Sequence, residues 1–142
     1  MSAASLVALF DLDRAYSAAH HRFDAELGAV HGIGLSDLRI LDALQRAPGN
    51  RLRRIDLSNQ LGLTPSGVTW LLQPLERRKL VASERDKHDA RATYATITRA
   101  GRELHGDAVS TAERIAAELF SPSRELGNVR LECDKPRRRR LQ

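Results

Sequence analysis

Two short helical segments separated by a tight turn are the feature that most narrows the possible folds of this chain. Residues 53–61 have apolar side chains at helical spacing, and Gly62 ends this first helix. Thr64-Pro65 starts a second helix, since a threonine oxygen caps free N–H groups and proline at the first helical position loses no needed hydrogen bond. The small Ser58 allows the two helices to approach, so the pattern predicts a helix-turn-helix. The residues predicted to point inward from the first helix are Ile55, Leu57 and Leu61.

The second helix, which we expect to run to about Lys79, has two contrasting faces. The apolar face, which packs on the first helix, consists of Val68, Leu71, Leu72 and Leu75. At about 100° per residue, the opposite face carries Ser66, Thr69, Trp70, Gln73 and Arg77. In a helix-turn-helix protein this outer face enters the major groove of double-stranded DNA, and the helix start at Thr64 offers N–H groups to phosphate. The alternative interpretation is an exposed face without a role.

A change of periodicity follows the second helix. Residues 81–86 and 92–98 predict two antiparallel strands, because the later segment is rich in β-branched and aromatic residues. A helix-turn-helix followed by such a hairpin is typical of a winged helix. Asp89, in the connection, is expected to hold an arginine by charge-assisted hydrogen bonds, or alternatively to form the turn. The basic residues on or near this connection, expected to contact phosphate or the minor groove, are Arg85, Lys87 and Arg91.

The charge distribution singles out the same region. Residues 46–102 contain 12 basic and 5 acidic side chains, whereas residues 1–45 and 103–120 are each net acidic by 3. A basic block between acidic flanks indicates an anion-binding surface, with a chance cluster of solvated charges as the alternative. Three arginines before the helix pair are predicted to contact phosphates, namely Arg51, Arg53 and Arg54.

Longer helical segments flank this region. Residues 5–30 repeat apolar side chains every three or four positions, and residues 99–120 form a helix capped by Thr98. A further helix, capped by Ser36, ends before Pro48. The stripe of the first helix is so long that it needs a covering surface, either in the same domain or on a second chain. Its members are Leu9, Leu12, Tyr16, Ala19, Phe23, Leu27 and Val30.

Over about residues 6–120, the order of these elements resembles the MarR family of bacterial transcriptional regulators. The similar motifs are Leu61-Gly62-Leu63-Thr64-Pro65-Ser66-Gly67-Val68-Thr69, Leu75-Glu76-Arg77-Arg78 with Leu80-Val81, and Asp89-x-Arg91 followed by Ile97-Thr98 and Gly101. The resemblance implies a mainly α fold with a small β-hairpin wing. It also implies a homodimer, built by the first and last helices, on a pseudopalindromic DNA site. Most members are repressors, and small aromatic ligands often release them from DNA.

The resemblance also implies an effector pocket between the first, second and fifth helices. Candidate lining residues, which equally suit the core or the dimer interface, are Phe10, Tyr16 and Phe23. Four features depart from the family pattern. Trp70 replaces a frequent arginine, Pro74 interrupts the second helix, and Lys79 replaces the glycine that usually ends it. The segment after Pro122 holds little of the expected final helix.

Length and composition exclude several classes of protein. A chain of 142 residues with 1 cysteine has no room for a separate cofactor domain and cannot build a disulfide framework. We expect no enzymatic activity, cofactor, metal or membrane contact, and a cytoplasmic location. The predicted organisation is a first helix at 1–35, a winged helix-turn-helix at 36–98, a last helix region at 99–131 and a basic tail at 132–142. The alternatives are a nonspecific architectural DNA-binding protein and a protein-interaction module.

Overall fold

The computed structural model describes residues 3–120, which form a mainly helical fold with a small sheet, as predicted. The helices are α1 (Ala3–His31), α2 (Leu35–Arg46), α3 (Arg54–Leu61), α4 (Pro65–Arg77) and α5 (Arg99–Leu119). The strands are β1 (Arg51–Arg53), β2 (Val81–Arg85) and β3 (Thr93–Ile97). The predictions for the segment after Pro122 and for the tail with Cys133 and Arg137–Arg140 fall outside the described residues. Within residues 3–120, no helix has both the length and the apolar character that a membrane crossing requires.

The sheet contains one strand beyond the two predicted from the sequence. Its strands are antiparallel in the order β1-β3-β2. The predicted hairpin is confirmed, with Val81 opposite Ile97 and Arg85 opposite Thr93. The additional strand, β1, pairs with β3 so that Arg53 lies opposite Tyr94. Its 3 residues are too few to show the alternation that identifies a strand in a sequence.

Two helix starts follow the predicted threonine caps. Thr64 Oγ1 accepts a hydrogen bond from Gly67 N at 3.1 Å at the start of α4. Thr98 Oγ1 accepts one from Gly101 N, also at 3.1 Å, at the start of α5. Each cap satisfies a backbone N–H that has no partner within the helix.

The prediction that Ser36 caps α2 is wrong. The helix begins at Leu35, two residues earlier than a Ser36 cap would place it, and Gly34 takes the cap position. Two carboxylates satisfy the free N–H groups there: Asp37 Oδ2 accepts from Gly34 N at 2.9 Å, and Asp24 Oδ1 accepts from Leu35 N at 2.8 Å. The serine hydroxyl is therefore not needed at this helix start.

The turns before and after α4 each contain a residue in the left-handed backbone conformation. Gly62, between α3 and α4, has φ 64°, and Lys79, after α4, has φ 59°. Leu80 N donates to Leu75 O at 2.9 Å and Lys79 N donates to Glu76 O at 3.0 Å, which is a Schellman arrangement. The departure from the family pattern at Lys79 thus falls where the backbone favours glycine. The helix itself ends slightly before the predicted position.

The core lies between α2, α3, α4, α5, part of α1 and one face of the sheet. Its most deeply buried side chains include Leu44, Leu57, Leu72, Ala95 and Ile115. The prediction that Ile55 points inward is wrong, since its side chain is 52% exposed. The reason is helical geometry, because Ile55 lies about 200° around α3 from the buried Leu57.

Of the predicted α1 stripe, only Phe23 and Leu27 are buried within the described part of this chain. Phe23 and Leu27 belong to the core, where α1 contacts α2 and α5. Ion pairs reinforce the contact with α5, including one between Arg22 and Glu118. The stripe members that remain exposed are Leu9, Leu12, Tyr16 and Val30.

Candidate nucleic-acid interface

The outer face of α4 carries the predicted base-contacting side chains at the surface. Val68, Leu72 and Leu75 are buried and turn the opposite face to the core. Trp70 is 75% exposed, an unusual position for a large aromatic side chain. The helix continues through Pro74, which forfeits one backbone hydrogen bond. The exposed residues of this face are Ser66, Trp70, Gln73 and Arg77, with Thr69 half-buried at its edge.

A reciprocal pair of hydrogen bonds closes the turn between α3 and α4. Leu63 N donates to Ser58 O at 3.0 Å, and Ser58 Oγ donates to Leu63 O at 2.6 Å. Ser58 is only 2% exposed, so the small side chain permits close packing as predicted. Its hydroxyl also satisfies a turn carbonyl, which fixes the direction of α4 relative to α3.

A cleft of about 380 Å³ separates the tip of the wing from the start of α4. We call it the wing cleft; it is lined by Arg53, Arg54, Ile55, Pro65, Thr69, Asp89, Arg91, Ala92 and Thr93. Three arginines against one carboxylate give the wing cleft a positive charge that suits phosphate. The fold thus brings residues from β1, α3, α4 and the wing turn to one place.

Arg54 is engaged in an internal network. Its Nη2 donates to Glu76 Oε1 at 2.9 Å and to Ser83 Oγ at 2.8 Å, and its Nη1 lies 3.5 Å from Thr69 Oγ1. Ser83 Oγ in turn donates to Glu76 Oε1 at 2.5 Å. The network joins α3, α4 and β2, and it holds Thr69 at the edge of the α4 face. The positive charge of Arg54 is therefore already opposed by a carboxylate.

Arg51 and Arg53 flank Tyr94 on the outer face of the sheet. The Arg51 guanidinium carbon lies 4.3 Å from the Tyr94 ring centroid, and Arg53 Nε donates to Tyr94 Oη at 3.2 Å. This hydrogen bond raises the pKa of Arg53 above its usual value. Strand alternation places Arg85 on the opposite face with Ser83, which bonds to α4. Sequence reasoning missed Tyr94, because only the pairing of β1 brings it between two arginines.

Two aspartates shape the turn at the tip of the wing. Asp86 Oδ1 accepts from His88 N at 2.8 Å, and this hydrogen bond holds the pKa of Asp86 below its usual value. Asp89 Oδ1 accepts from Arg91 N at 3.0 Å. This corrects the expectation that Asp89 holds an arginine side chain, since its carboxylate binds the backbone and forms the turn. Lys87 and Arg91 are exposed at this tip.

The three predicted effector-pocket residues occupy different environments. Phe23 lies in the core, whereas Phe10 and Tyr16 are 58% and 55% exposed. A second cleft, also about 380 Å³, lies between α2, β1 and α3, with Arg46 and Leu52 in its lining. Neither this cleft nor the wing cleft is lined by the three aromatic residues. Among residues 3–120, no three His, Cys, Asp or Glu side chains converge as a metal site requires.

Comparisons with known proteins agree with this geometry. Residues 31–92 match the sequence profile of the MarR family. The transcriptional regulator BldR from Sulfolobus solfataricus is similar with a TM-score of 0.77 and 24% identity, over 88% of this chain and 89% of that chain. Sco3205, a MarR family transcriptional regulator from Streptomyces coelicolor solved in complex with DNA, has a TM-score of 0.67 and 23% identity, over 87% and 91%. BpsR from Bordetella bronchiseptica, whose DNA binding is regulated by 6-hydroxynicotinic acid, has a TM-score of 0.70 and 24% identity, over 80% and 79%. A search of the curated proteins gave no match.

The region that matches the family covers less than half of the chain. Residues 31–92 contain α2, the helix-turn-helix, β2 and the wing turn. The similarity to solved structures extends beyond these residues and includes the long helices on either side. Residues 31–92 of this chain therefore match the MarR family, and the described residues share the winged helix-turn-helix fold of MarR family regulators.

Proposed function

We propose that this chain is a DNA-binding transcriptional regulator of the MarR type, a ligand-responsive repressor that binds a pseudopalindromic operator as a homodimer. The observation that carries the DNA-binding part is the exposed polar face of α4 beside the positively charged wing cleft. A helix face with hydroxyl, amide and guanidinium groups suits base edges in a major groove. Arginines on an adjacent wing suit phosphate or a narrow minor groove.

In this proposal, α4 discriminates between bases and the wing supplies affinity. Trp70 offers apolar contact with a thymine methyl group instead of the guanine contact that an arginine would make. Arg85 and Arg91 are expected to contribute more than Arg54, whose charge faces Glu76. The proposed base-contacting residues are Ser66, Thr69, Trp70, Gln73 and Arg77. The proposed backbone-contacting residues are Arg51, Arg53, Arg54, Thr64, Arg85, Lys87 and Arg91, with Asp89 as the turn-forming residue.

The uncovered apolar surface of the long helices supports a homodimer. Leu9 and Tyr16 on α1 are 57% and 55% exposed, and Phe120, after α5, is 62% exposed. Several large apolar side chains exposed on the long helices are typical of an interaction site. A second copy of the chain is the partner that the family resemblance implies. A two-fold symmetric pair would present two α4 helices to two half-sites.

Repression and release by an effector are supported by analogy. The structural neighbour BpsR has its DNA binding regulated by 6-hydroxynicotinic acid, which favours a small aromatic effector here. A panel of small aromatic acids, measured by thermal shift and by release of operator DNA, tests this part. We expect at least one compound to raise the Tm and to weaken operator binding. A panel without such a compound would contradict regulation by small aromatic acids.

Genomic footprinting identifies the operator. The proposal is then tested by comparing the affinity of the protein for the operator with its affinity for random DNA of equal length. We expect the operator to bind about a thousandfold tighter than random DNA at physiological salt. Arg91→Ala should weaken operator binding and reduce the slope of log K against log salt by about 1, because one phosphate contact is lost. The matched control is Arg46→Ala, since Arg46 lines the second cleft instead of the wing cleft. It should leave affinity and slope unchanged.

Two results would overturn the assignment. Equal binding of operator and random DNA would identify a nonspecific architectural protein. Unchanged affinity and salt slope in Arg91→Ala would remove the wing from the interface.

A further inference from the structure

The C-terminal end of α4 is bonded directly to the C-terminal end of α1. Arg78, the residue that follows α4, donates from Nη1 to Gly32 O at 2.6 Å. Its Nη2 lies 3.5 Å from His31 O. These carbonyls belong to the last residue of α1 and to the residue after it, more than 40 positions away in the chain.

The same end of α4 is also bonded to the start of α5. Thr98 Oγ1 donates to Lys79 O at 2.7 Å, and Thr98 N donates to Leu80 O at 3.0 Å. The first turn of α5 lies so close that a Cβ on Gly101 would be 2.1 Å from Leu80 O. Residues 78–80 therefore connect the base-contacting helix to both long helices.

The chemistry of the α1 contact requires an arginine. The carbonyls at a helix C-terminus lack partners within the helix and carry its partial negative charge. A guanidinium presents two N–H groups in a fixed plane and can bond two adjacent carbonyls, whereas a lysine ammonium is a single point charge. The neighbouring Arg77 is exposed like Arg78, but it lies on the α4 face with Trp70 and Gln73.

We propose that Arg78 is a positioning residue that fixes the orientation of α4 relative to α1 and thereby the separation of the two α4 helices in the dimer. This inference rests on the proposed homodimer on two half-sites. In such a dimer the two recognition helices must lie about one DNA turn, 34–36 Å, apart to enter successive major grooves. If α1 lies in the dimer interface, the hydrogen bond from Arg78 to Gly32 O limits how far α4 can rotate relative to α1.

Operators that differ only in half-site spacing test the inference. The series places the half-sites at the natural spacing and with one or two base pairs inserted or removed. We expect the wild type to prefer the natural spacing, and Arg78→Ala to reduce this preference about fivefold or more. Binding to random DNA should not change, because Arg78 is not in the proposed DNA contact. Arg78→Lys should resemble Arg78→Ala, since an ammonium does not reproduce the fork.

Arg39→Ala is the matched control. Arg39 also donates to a carbonyl at a helix C-terminus, Leu61 O at 3.4 Å, but it does not join α4 to the long helices. It should keep the wild-type spacing preference. If Arg78→Ala and Arg78→Lys both keep that preference as well, the positioning role is overturned while the proposed function stands. If the wild type itself has no preferred spacing, the proposed dimer on two half-sites fails and the inference fails with it.

A measurement on the free protein guards against a folding defect. Spin labels at Ser66→Cys, in a Cys133→Ser background, report the distance between the two α4 helices of a dimer. We expect a narrow distance distribution in the wild-type and Arg39→Ala backgrounds, and a broader one with Arg78→Lys. An equally narrow distribution with Arg78→Lys would overturn the positioning role.

Discussion

Lys79 takes a backbone conformation that costs free energy at the end of α4. Its φ of 59° is in the left-handed region, where a Cβ crowds the backbone. The Schellman hydrogen bonds from Lys79 and Leu80 hold it there, and the buried pair Leu75 and Leu80 supports the turn. The structure thus tolerates a lysine where glycine would be favoured.

We expect Lys79→Gly to raise the free energy of unfolding by about 0.5–1 kcal/mol, because glycine adopts a positive φ without steric cost. Lys79→Ala keeps the steric cost and should show no comparable gain. Denaturant titration at one protein concentration measures both variants. An equal effect of the two substitutions would contradict this account of the turn.

The hydrogen bonds that could be predicted from the sequence join residues only a few positions apart in the chain. The caps at Thr64 and Thr98 involve N–H groups three positions away, so residue type and spacing suffice. The start of α2 depends partly on Asp24, 11 positions before the N–H that it accepts from, and no local pattern indicates that contact. For Asp89 the sequence left two roles open, because backbone and guanidinium N–H groups compete for one carboxylate, and the hydrogen bond from Arg91 N matches the turn-forming role.

The first turn of α5 packs tightly against Leu80, which follows α4. This approach leaves no room for a side chain at Gly101. A Cβ there would lie 2.1 Å from Leu80 O and 2.8 Å from Ile97 Cγ1. We expect Gly101→Ala to lower the free energy of unfolding by about 2–3 kcal/mol, because the overlap forces the backbone to move. Thermal or denaturant unfolding provides the measurement.

Gly106, on the same helix, is the control for this prediction. A Cβ on Gly106 would meet nothing within 4 Å. Gly106→Ala should therefore raise the free energy of unfolding by up to about 1 kcal/mol, through helix propensity alone. Similar changes in the two variants would show that the approach of α5 to Leu80 has no energetic consequence.

The contact between α1 and α5 should depend on pH. A hydrogen bond from Arg22 lowers the pKa of Glu118 below its usual value. A lowered folded-state pKa stabilises the fold above the unfolded-state pKa, about 4.3, and this contribution disappears as the pH falls through the folded-state pKa. Wild type should therefore have a higher Tm than Glu118→Gln near neutral pH, and the difference should shrink below about pH 4. A difference in Tm that persists unchanged at low pH would contradict the assignment, and Glu113→Gln, an exposed glutamate of α5, is the control.

Helices were easier to predict than the sheet. The stripes of α4 and α5 follow the helical period over several turns, so their type and approximate ends could be read from the residues. The strand β1 is a 3-residue segment with two arginines, and its existence depends on pairing with β3. The position of Tyr94 between Arg51 and Arg53 could not be predicted without that pairing.

In the whole molecule, the exposed apolar residues of the α1 stripe support the proposed homodimer. We expect the wild type to sediment as a dimer and Leu9→Glu to shift it towards monomer, because a charge would enter an apolar interface. Ser17→Glu adds the same charge at an exposed polar position of α1 and is the control. Sedimentation equilibrium measures both. A dimer that is equally stable in Leu9→Glu would place the interface elsewhere.

The basic block of the sequence coincides with the helix-turn-helix and the wing, so the location of the candidate site could be predicted from charge and motif together. The connection from Arg78 to the end of α1 could not, because it joins residues more than 40 positions apart and no local pattern indicates it. The identity of the candidate DNA-contacting residues can thus be predicted from the sequence. The contacts that orient α4 can be identified only from the folded structure.

In the proposed complex, two copies of this chain present two α4 helices to two half-sites. Selection of bound sequences from a library of random double-stranded DNA tests this arrangement. We expect an enriched inverted repeat whose half-site centres lie about 10–10.5 base pairs apart. Trp70→Ala should change the preferred base at the same position in both half-sites. Enrichment of a single unrepeated site, or of no sequence at all, would rule out the two-half-site arrangement.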